Sequence, residues 1–265
     1  NSLKAATIEL EQGDFEEATR QTATARTSAT EISRALGWMR ILAKMGIMRD
    51  QFDQAEQLVG VVKDGVIGAD TAVSGVRTLY RSARIISGED SSSPNEVYSQ
   101  AKTELQTARL RITKVMLQLS DPELLKPLPV DLKNRALDLS QKLDYYLTLV
   151  EKAEAIASIM PEVTGVDGKR SYLLLFQNNT ELRPTGGFIG SYGRIDFENG
   201  RITKVLVDDV YNLDGNLKEQ ITPPLELQTD MGQTNWYLRD SNWDPDFPTS
   251  ARQAIFFYNK EAGER

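Results

Sequence analysis

Between Asn178 and Gly187 the chain reads NNTELRPTGG, and a little further on it carries the adjacent carboxylates Asp208 and Asp209. A guanidinium such as Arg183 can hold a phosphate bidentately, and glycines at Gly186 and Gly187 let backbone N–H groups approach one. A carboxylate at Asp208 or Asp209 can ligate a hard cation such as Mg²⁺ or take a proton from a hydroxyl. The same residues admit a plainer account. Asn178 and Asn179 can bond the loop backbone, Arg183 can pair with Glu181 or Asp209, and the glycines can merely permit the turn.

The side chains that are missing narrow the chemistry further. The 265-residue chain has no histidine and no cysteine, which excludes a Ser-His-Asp triad, a thiolate nucleophile, a disulfide framework and a Cys/His zinc site. Catalysis would have to rest on carboxylates, Arg, Lys, Tyr, Ser or Thr. With 31 basic and 38 acidic residues the formal net charge is −7, and no basic run stands out, so nucleic acid is not an expected partner.

The elements that must position these residues are a strand, a loop and a hairpin. Tyr172 to Phe176 is a short apolar run, which predicts a strand buried on both faces. Asn199-Gly200, between the runs Phe188–Phe197 and Ile202–Val207, predicts a two-residue type I′ turn. Counting back from that turn pairs Glu198 with Arg201, sets Ser191 opposite Asp208 and Gly190 opposite Asp209, and returns both aspartates to the edge where Arg183 lies. In a regular strand Asp208 and Asp209 point to opposite faces, so one ion can be shared only if the strand ends or bulges there.

Everything earlier reads as helix. Leu3 to about Lys44 suits helix with a break at Gly13-Asp14, across which Leu10, Phe15 and Ala18 are expected first contacts, and Asp14 with Glu17 forms a capping box. GDFEEA and the later DQFDQAEQL are two weak echoes of a helical-hairpin repeat, short of the three units that an array needs. Gln51 to Ile86 carries apolar residues at helical spacing, interrupted by Gly60, Gly65, Gly68 and Gly75, which predicts close packing or a kink. Ser93-Pro94-Asn95-Glu96 starts a helix to about Ser120 that turns Val97, Ala101, Leu105, Ala108, Ile112, Val115, Met116 and Leu119 inward. After Pro129, Asp131 is expected to cap a helix to about Met160 with the stripe Leu132, Ala136, Leu139, Leu143, Tyr146, Leu147, Val150 and Ile156. These stripes predict an antiparallel helical bundle over residues 1–164, a stalk or oligomerisation coil being the alternative.

The pattern changes at 161–168 from helical stripes to strands, turns, Trp and Pro, and residues 165–265 are expected to form a separate domain, the first part of a mixed-sheet α/β domain as the remote family resemblance given below implies. Near its end Trp236, Tyr237 and Trp243 interleave with Arg239, Asp240, Asp244 and Asp246. Arg239-Asp240 is an expected ion pair within this rim, and a helix starting near Pro248 should bury Ala251, Ala254, Ile255 and Tyr258. No run of about 18 apolar residues occurs, and both ends of the sequence read as cut from a longer protein, which leaves room for a membrane anchor upstream.

The segment YLLLFQNNTELRPTGGFIGSYG, the DDVYNLDG element, the ITPP turn and WYLRDSNWDPDFPTSARQAIFFYNKEAG together resemble the bacterial domain-of-unknown-function family numbered 4012 from Ser171 to the end. That resemblance implies an extracytoplasmic, membrane-tethered protein of the cell envelope with a further C-terminal part. The order of elements is more remotely similar to the LytR-CpsA-Psr family, which transfers glycopolymers from a polyprenyl-pyrophosphate carrier with Arg, Asp and a divalent cation. Asn178, Asn179 and Arg183-Pro184-Thr185 stand near that family's first loop, Val207-Asp208-Asp209 near its Pro-Arg-Asp, and Asn242 near an Asn before its next helix. The implied reaction is Mg²⁺-assisted phosphoryl transfer, with Arg183, Asp208 and Asp209 catalytic and Asp209 on the metal. The implied ligand shell is Asn178, Asn179, Glu181, Thr185, Gly186, Gly187, Arg239 and Asn242, around a polyprenyl-phosphate or glycan ligand. The competing expectation is a non-enzymatic envelope scaffold or adhesion module.

Overall fold

The computed structural model describes residues 14–45 and 49–263; the predicted helical turns before Gly13, with Leu10, lie outside them. The chain divides into two compact units, residues 1–167 and 168–265.

The first unit is helical: α1 Phe15–Lys44, α2 Arg49–Ile86, α3 Pro94–Leu119, the short α4 Pro122–Leu125, and α5 Val130–Val163. Local chemistry sets the starts. Asp14 Oδ1 accepts from Glu17 N at 2.9 Å, and Ser93 Oγ accepts from Glu96 N at 3.5 Å with Pro94 opening α3. Asp131 is not a cap: Pro129 occupies that position without a side-chain bond, and Asp131 sits in the first turn, where the helix dipole favours its charge. The long helices lie in a row in which each packs chiefly on its neighbour in sequence, α1 on α2, α2 on α3 and α3 on α5.

The predicted inward face of α3 is the centre of this unit. Ala101, Leu105, Ala108, Ile112, Val115 and Leu119 are buried in one cluster with Val61, Leu143, Val150 and Ala157. On α5 the buried line is Leu143, Val150 and Ala157, whereas Leu132, Leu139 and Ile156 of the expected stripe are exposed. A helix at the end of a row has a neighbour on one side only, so half of an all-round apolar pattern stays uncovered.

Two of the α2 glycines are there for space. A Cβ on Gly75 would lie 2.7 Å from Leu105 Cγ and 3.2 Å from the Leu105 backbone N, and one on Gly68 would lie 3.1 Å from Arg111 Cβ. A Cβ on Gly60 would meet nothing within 4 Å. Gly75→Val is therefore expected to destabilise this unit by about 2 kcal/mol through overpacking, whereas Gly60→Ala gains up to about 1 kcal/mol of helix propensity. Urea unfolding followed by far-UV circular dichroism checks both signs.

The second unit is built on a three-stranded antiparallel sheet in the order β1-β2-β3, with β1 Arg170–Arg183, β2 Gly186–Glu198 and β3 Arg201–Asp209. Helices α6 Val210–Asp214, α7 Leu225–Met231 and α8 Phe247–Ala262, with a 3₁₀ turn at Leu238–Asp240, complete it. The described unit is thus α+β with an antiparallel sheet. One face of that sheet, with Leu173, Leu175, Tyr192 and Leu206, packs in a cluster with Leu213, Leu238, Ala254 and Phe257. The other face is open. Tyr172, Leu174 and Phe176 are 37%, 36% and 46% exposed, so β1 is an edge strand covered on one side rather than a strand buried on both. On α8 the buried line is Ser250, Ala254, Phe257 and Glu261, while Ile255 is exposed; the Trp236 ring against Phe257, at 5.2 Å between centroids, sets this rotation.

Candidate functional site

The β2–β3 turn forms at Asn199-Gly200, with φ of 52° and 74°, and Glu198 pairs with Arg201 as its chemistry requires. Two residues later the register slips. Phe197 pairs with Ile202 but Asp196 pairs with Lys204, so Thr203 is bulged, its Oγ1 donating to the Asp196 carbonyl at 3.2 Å. From there every partner is displaced by one: Asp208 lies opposite Tyr192 and Asp209 opposite Ser191, not Ser191 and Gly190. A one-residue shift exchanges the faces of a strand. Asp208 thereby joins Tyr192, Arg194, Lys204 and Leu206 on the helix-covered face, and Asp209 goes to the other.

The loop predicted over 178–187 is mostly strand. Asn178 pairs with Phe188, Leu182 with Gly187 and Arg183 with Gly186, so the turn shrinks to Pro184-Thr185 and residues 179–181 bulge from β1. A Cβ on Gly187 would lie 2.0 Å from the Asn178 carbonyl oxygen, and Gly186 has φ of 131°, which only glycine holds without strain. The Gly187 N–H donates to Gln177 Oε1 at 3.3 Å. These glycines serve a close strand approach, and the Gly187 donor is already used.

Each predicted residue has a definite place. Asn178 Oδ1 accepts from Thr180 N and Oγ1 at 3.1 and 2.7 Å, and its Nδ2 donates to Glu181 Oε1 at 3.2 Å, on an exposed bulge that also carries Asn179. Arg183, with its side chain 8% exposed, pairs with Asp240 at 3.4 Å and lies 5.3 Å from the Phe188 ring centroid. Thr185 Oγ1 donates to the Asn242 carbonyl at 2.8 Å, and Asn242 Nδ2 donates to the Gly187 carbonyl at 2.8 Å. Asp209 caps α6 by accepting from Tyr211 N at 2.8 Å. Asp208 Oδ1 accepts from Asp209 N and Asn212 Nδ2, both at 2.8 Å. Arg183, Thr185, Gly187, Arg239 and Asn242 therefore come together with Asp240 between the arginines; Asn178, Asn179 and Glu181 stay on the surface.

Around Asp240 the charges form a buried ladder. Arg239 reaches Asp240 at 3.4 Å and Asp214 at 2.9 Å, and its guanidinium stacks 4.3 Å from the Tyr237 centroid. Asp214 and Glu261, each 3% exposed, close the ladder at α6 and α8. Burial pushes the Asp214 carboxyl up to about 6, with Arg239 holding it back, and burial together with the neighbouring Asp214 charge pushes Glu261 up to about 8. Neither residue carries a chemical signal in the sequence: Asp214 stands before a glycine, and Glu261 falls among the polar residues of NKEAGER.

Beside this ladder a cleft of about 910 Å³ opens over the covered face of the sheet, with Arg194, Lys204, Asp208, Lys218, Tyr258, Lys260 and Glu261 among its lining. Arg194 is spoken for by Asp196 at 2.7 Å, and Lys260 by Glu219 at 2.6 Å. Asp196, 2% exposed, is pushed up by burial but pulled further down, to about 2, by Arg194, Ser171 and Lys169. Lys204 and Lys218 have no carboxylate within ion-pair distance among the described residues, so the cleft presents two uncommitted ammonium groups. A resident divalent cation is not supported by the donors. Asp208 and Asp209 face opposite sides, and among the described residues no three carboxylates are arranged so that they could hold a metal ion.

No helix among the described residues is long and apolar enough to cross a membrane. No curated protein and no solved structure matches the chain. Residues 167–265, the stretch that folds into the sheet, the buried charge ladder and the cleft, match the model of the family described as "Protein of unknown function (DUF4012)", which is the resemblance read from Ser171 onward.

Proposed function

We propose that this protein is a membrane-tethered component of a bacterial cell envelope whose second unit holds a phosphate-bearing glycan, the polyprenyl-phosphate-linked glycopolymer being the ligand class that the LytR-CpsA-Psr resemblance implies. The observation that carries the reading is the pair of uncommitted ammonium groups, Lys204 and Lys218, in a cleft that also offers the Tyr258 ring. Ammonium groups bind phosphate oxygens by charge-assisted hydrogen bonds, and an aromatic ring beside them suits the apolar face of a sugar. Binding, rather than transfer, is the better-supported activity. Arg183 is buried against Asp240, and Asp209 is engaged as a helix cap, so neither side chain is free to steady a leaving group. No step through Mg²⁺ is part of this reading.

Calorimetric titration with glucose 1-phosphate and, separately, with polyprenyl phosphate in micelles tests it. Lys204→Ala with Lys218→Ala is expected to weaken glucose 1-phosphate binding at least tenfold, the scale of one lost charge-assisted hydrogen bond. Equal affinity in both proteins would sink the cleft reading. Tighter binding of the micellar carrier than of the free sugar phosphate identifies the lipid-linked form as ligand. Measured transfer of a glycopolymer would replace binding with catalysis.

The scaffold or adhesion reading draws on a different observation, the open apolar face of the sheet with Tyr172, Leu174, Phe176, Val205 and Val207. It predicts that both anion titrations are silent.

A further inference from the structure

Asp214 stands at the end of α6 and Glu261 in the last turn of α8, and each leaves one buried oxygen, Asp214 Oδ1 and Glu261 Oε2, without a hydrogen-bond partner. Their other oxygens are occupied: Asp214 Oδ2 accepts from Arg239 Nη1 at 2.9 Å, and Glu261 Oε1 accepts from the Leu238 N–H at 3.1 Å. Two orphaned acceptors so deeply buried are costly, and a second acceptor cannot relieve the first. A proton on one carboxyl turns that oxygen into a donor and satisfies both at once.

The charge balance points the same way. The charged groups that act on Glu261 are Asp214 from α6 and Arg239 from the 3₁₀ turn, and from Arg239 the ladder continues through Asp240 to the Arg183 guanidinium of β1. On α8 itself Lys260 is turned to Glu219. The buried ladder thus holds the cations Arg183 and Arg239 against the carboxyls Asp214, Asp240 and Glu261, and a single proton makes it neutral. Glu261 is at the same time part of the cleft wall.

Resting on the reading of the cleft as an anion site, we propose that Asp214 and Glu261 share one proton and that this proton must stay in place for the cleft to hold an anion. While the proton is held, the wall beside Lys204 and Lys218 is uncharged at Glu261. Its loss puts a carboxylate into that wall and opposes the ligand. By linkage, a bound anion holds the proton more firmly, so binding and protonation reinforce one another. The upward displacement of both carboxyls, Glu261 the further, agrees with this order of proton loss.

The test uses glucose 6-sulfate, whose anion does not titrate in the range of interest, on the whole chain. For the wild type its affinity is expected to fall on the order of tenfold between pH 7 and pH 9.5, the scale of one new charge several ångströms from the anion. Glu261→Gln is expected to lose that slope. Asp214→Asn, which removes the neighbouring charge, is expected to move the slope to lower pH. The lysines are common to all three proteins and cancel. Binding with the same slope in wild type and Glu261→Gln overturns the coupling while leaving the anion site standing. Absence of binding at every pH removes both. Carbon-13 titration of the Glu261 carboxyl reports the shared proton without ligand: a midpoint above pH 7 supports it, and one below pH 7 overturns it.

Discussion

Replacing Arg183 by alanine is expected to destabilise the second unit by about 3 kcal/mol, whether or not a ligand is present. The guanidinium is almost fully buried, it shares Asp240 with Arg239, and it lies over the Phe188 ring. Removing one partner of a buried pair leaves the other charge uncompensated, and such losses run to about 3–5 kcal/mol. Arg239 also touches Asp240, which keeps the expected value at the low end. Lysine should rescue little, because a single ammonium cannot reproduce the planar fork and its stacking. Arg183→Met combined with Asp240→Asn should recover part of the loss, since the stranded charge goes too. Urea unfolding followed by Trp236 and Trp243 fluorescence, in a Trp38→Phe background, isolates this unit. A loss below about 0.5 kcal/mol, the scale of an ordinary surface substitution, would show instead that Arg183 is free for a ligand.

Glu261→Gln is expected to stabilise the second unit by about 2–3 kcal/mol at pH 8.5 and to be nearly neutral at pH 5. The sign follows from proton counts. Glu261 is raised from an ordinary 4.5 to about 8, so between those values the folded chain keeps a proton that the unfolded chain has released. The stability that this proton confers is fully present below about 4.5 and is lost as pH rises through about 8. Asp214, raised from 3.8 to about 6, adds a smaller loss of the same sign at lower pH. At about 1.4 kcal/mol per unit the Glu261 shift sets an upper limit near 5 kcal/mol, and local relaxation lowers what is realised. Glutamine keeps an acceptor for the Leu238 N–H, gains a donor toward Asp214 and does not titrate. Asp196 acts oppositely, its contribution being lost only as the pH falls toward 2, outside this window. Thermal melts of both proteins from pH 5 to pH 9 check the prediction, and parallel curves would refute it.

The site residues named from the sequence divide by how local their placement is. Asp209 and Asp208 follow the Asn199-Gly200 turn into β3, but the Thr203 bulge exchanges their faces, and nothing in the neighbouring residue types announces a bulge at that position. Asn178 and Glu181 make the local side-chain bonds that such residues make on an exposed turn. Arg183, Thr185, Arg239 and Asn242 do converge, yet on a buried structural node rather than on open space. The mixed sheet implied by the remote resemblance is, over the described residues, a three-stranded antiparallel one.

What the sequence determined by itself is short-range. The caps at Asp14 and Ser93, the start of α3 at Pro94, its inward face from Val97 to Leu119 and the hairpin turn all depend on residues within a turn or two of one another. The absence of histidine and cysteine bounds the chemistry regardless of fold. Only the tertiary structure decided which face Asp208 presents, that Arg183 is buried, and that Asp214 meets Glu261 beside a cleft with two spare lysines. Those outcomes turn on desolvation and on charges brought together from distant segments, and a carboxyl group in the sequence carries no mark of what will surround it.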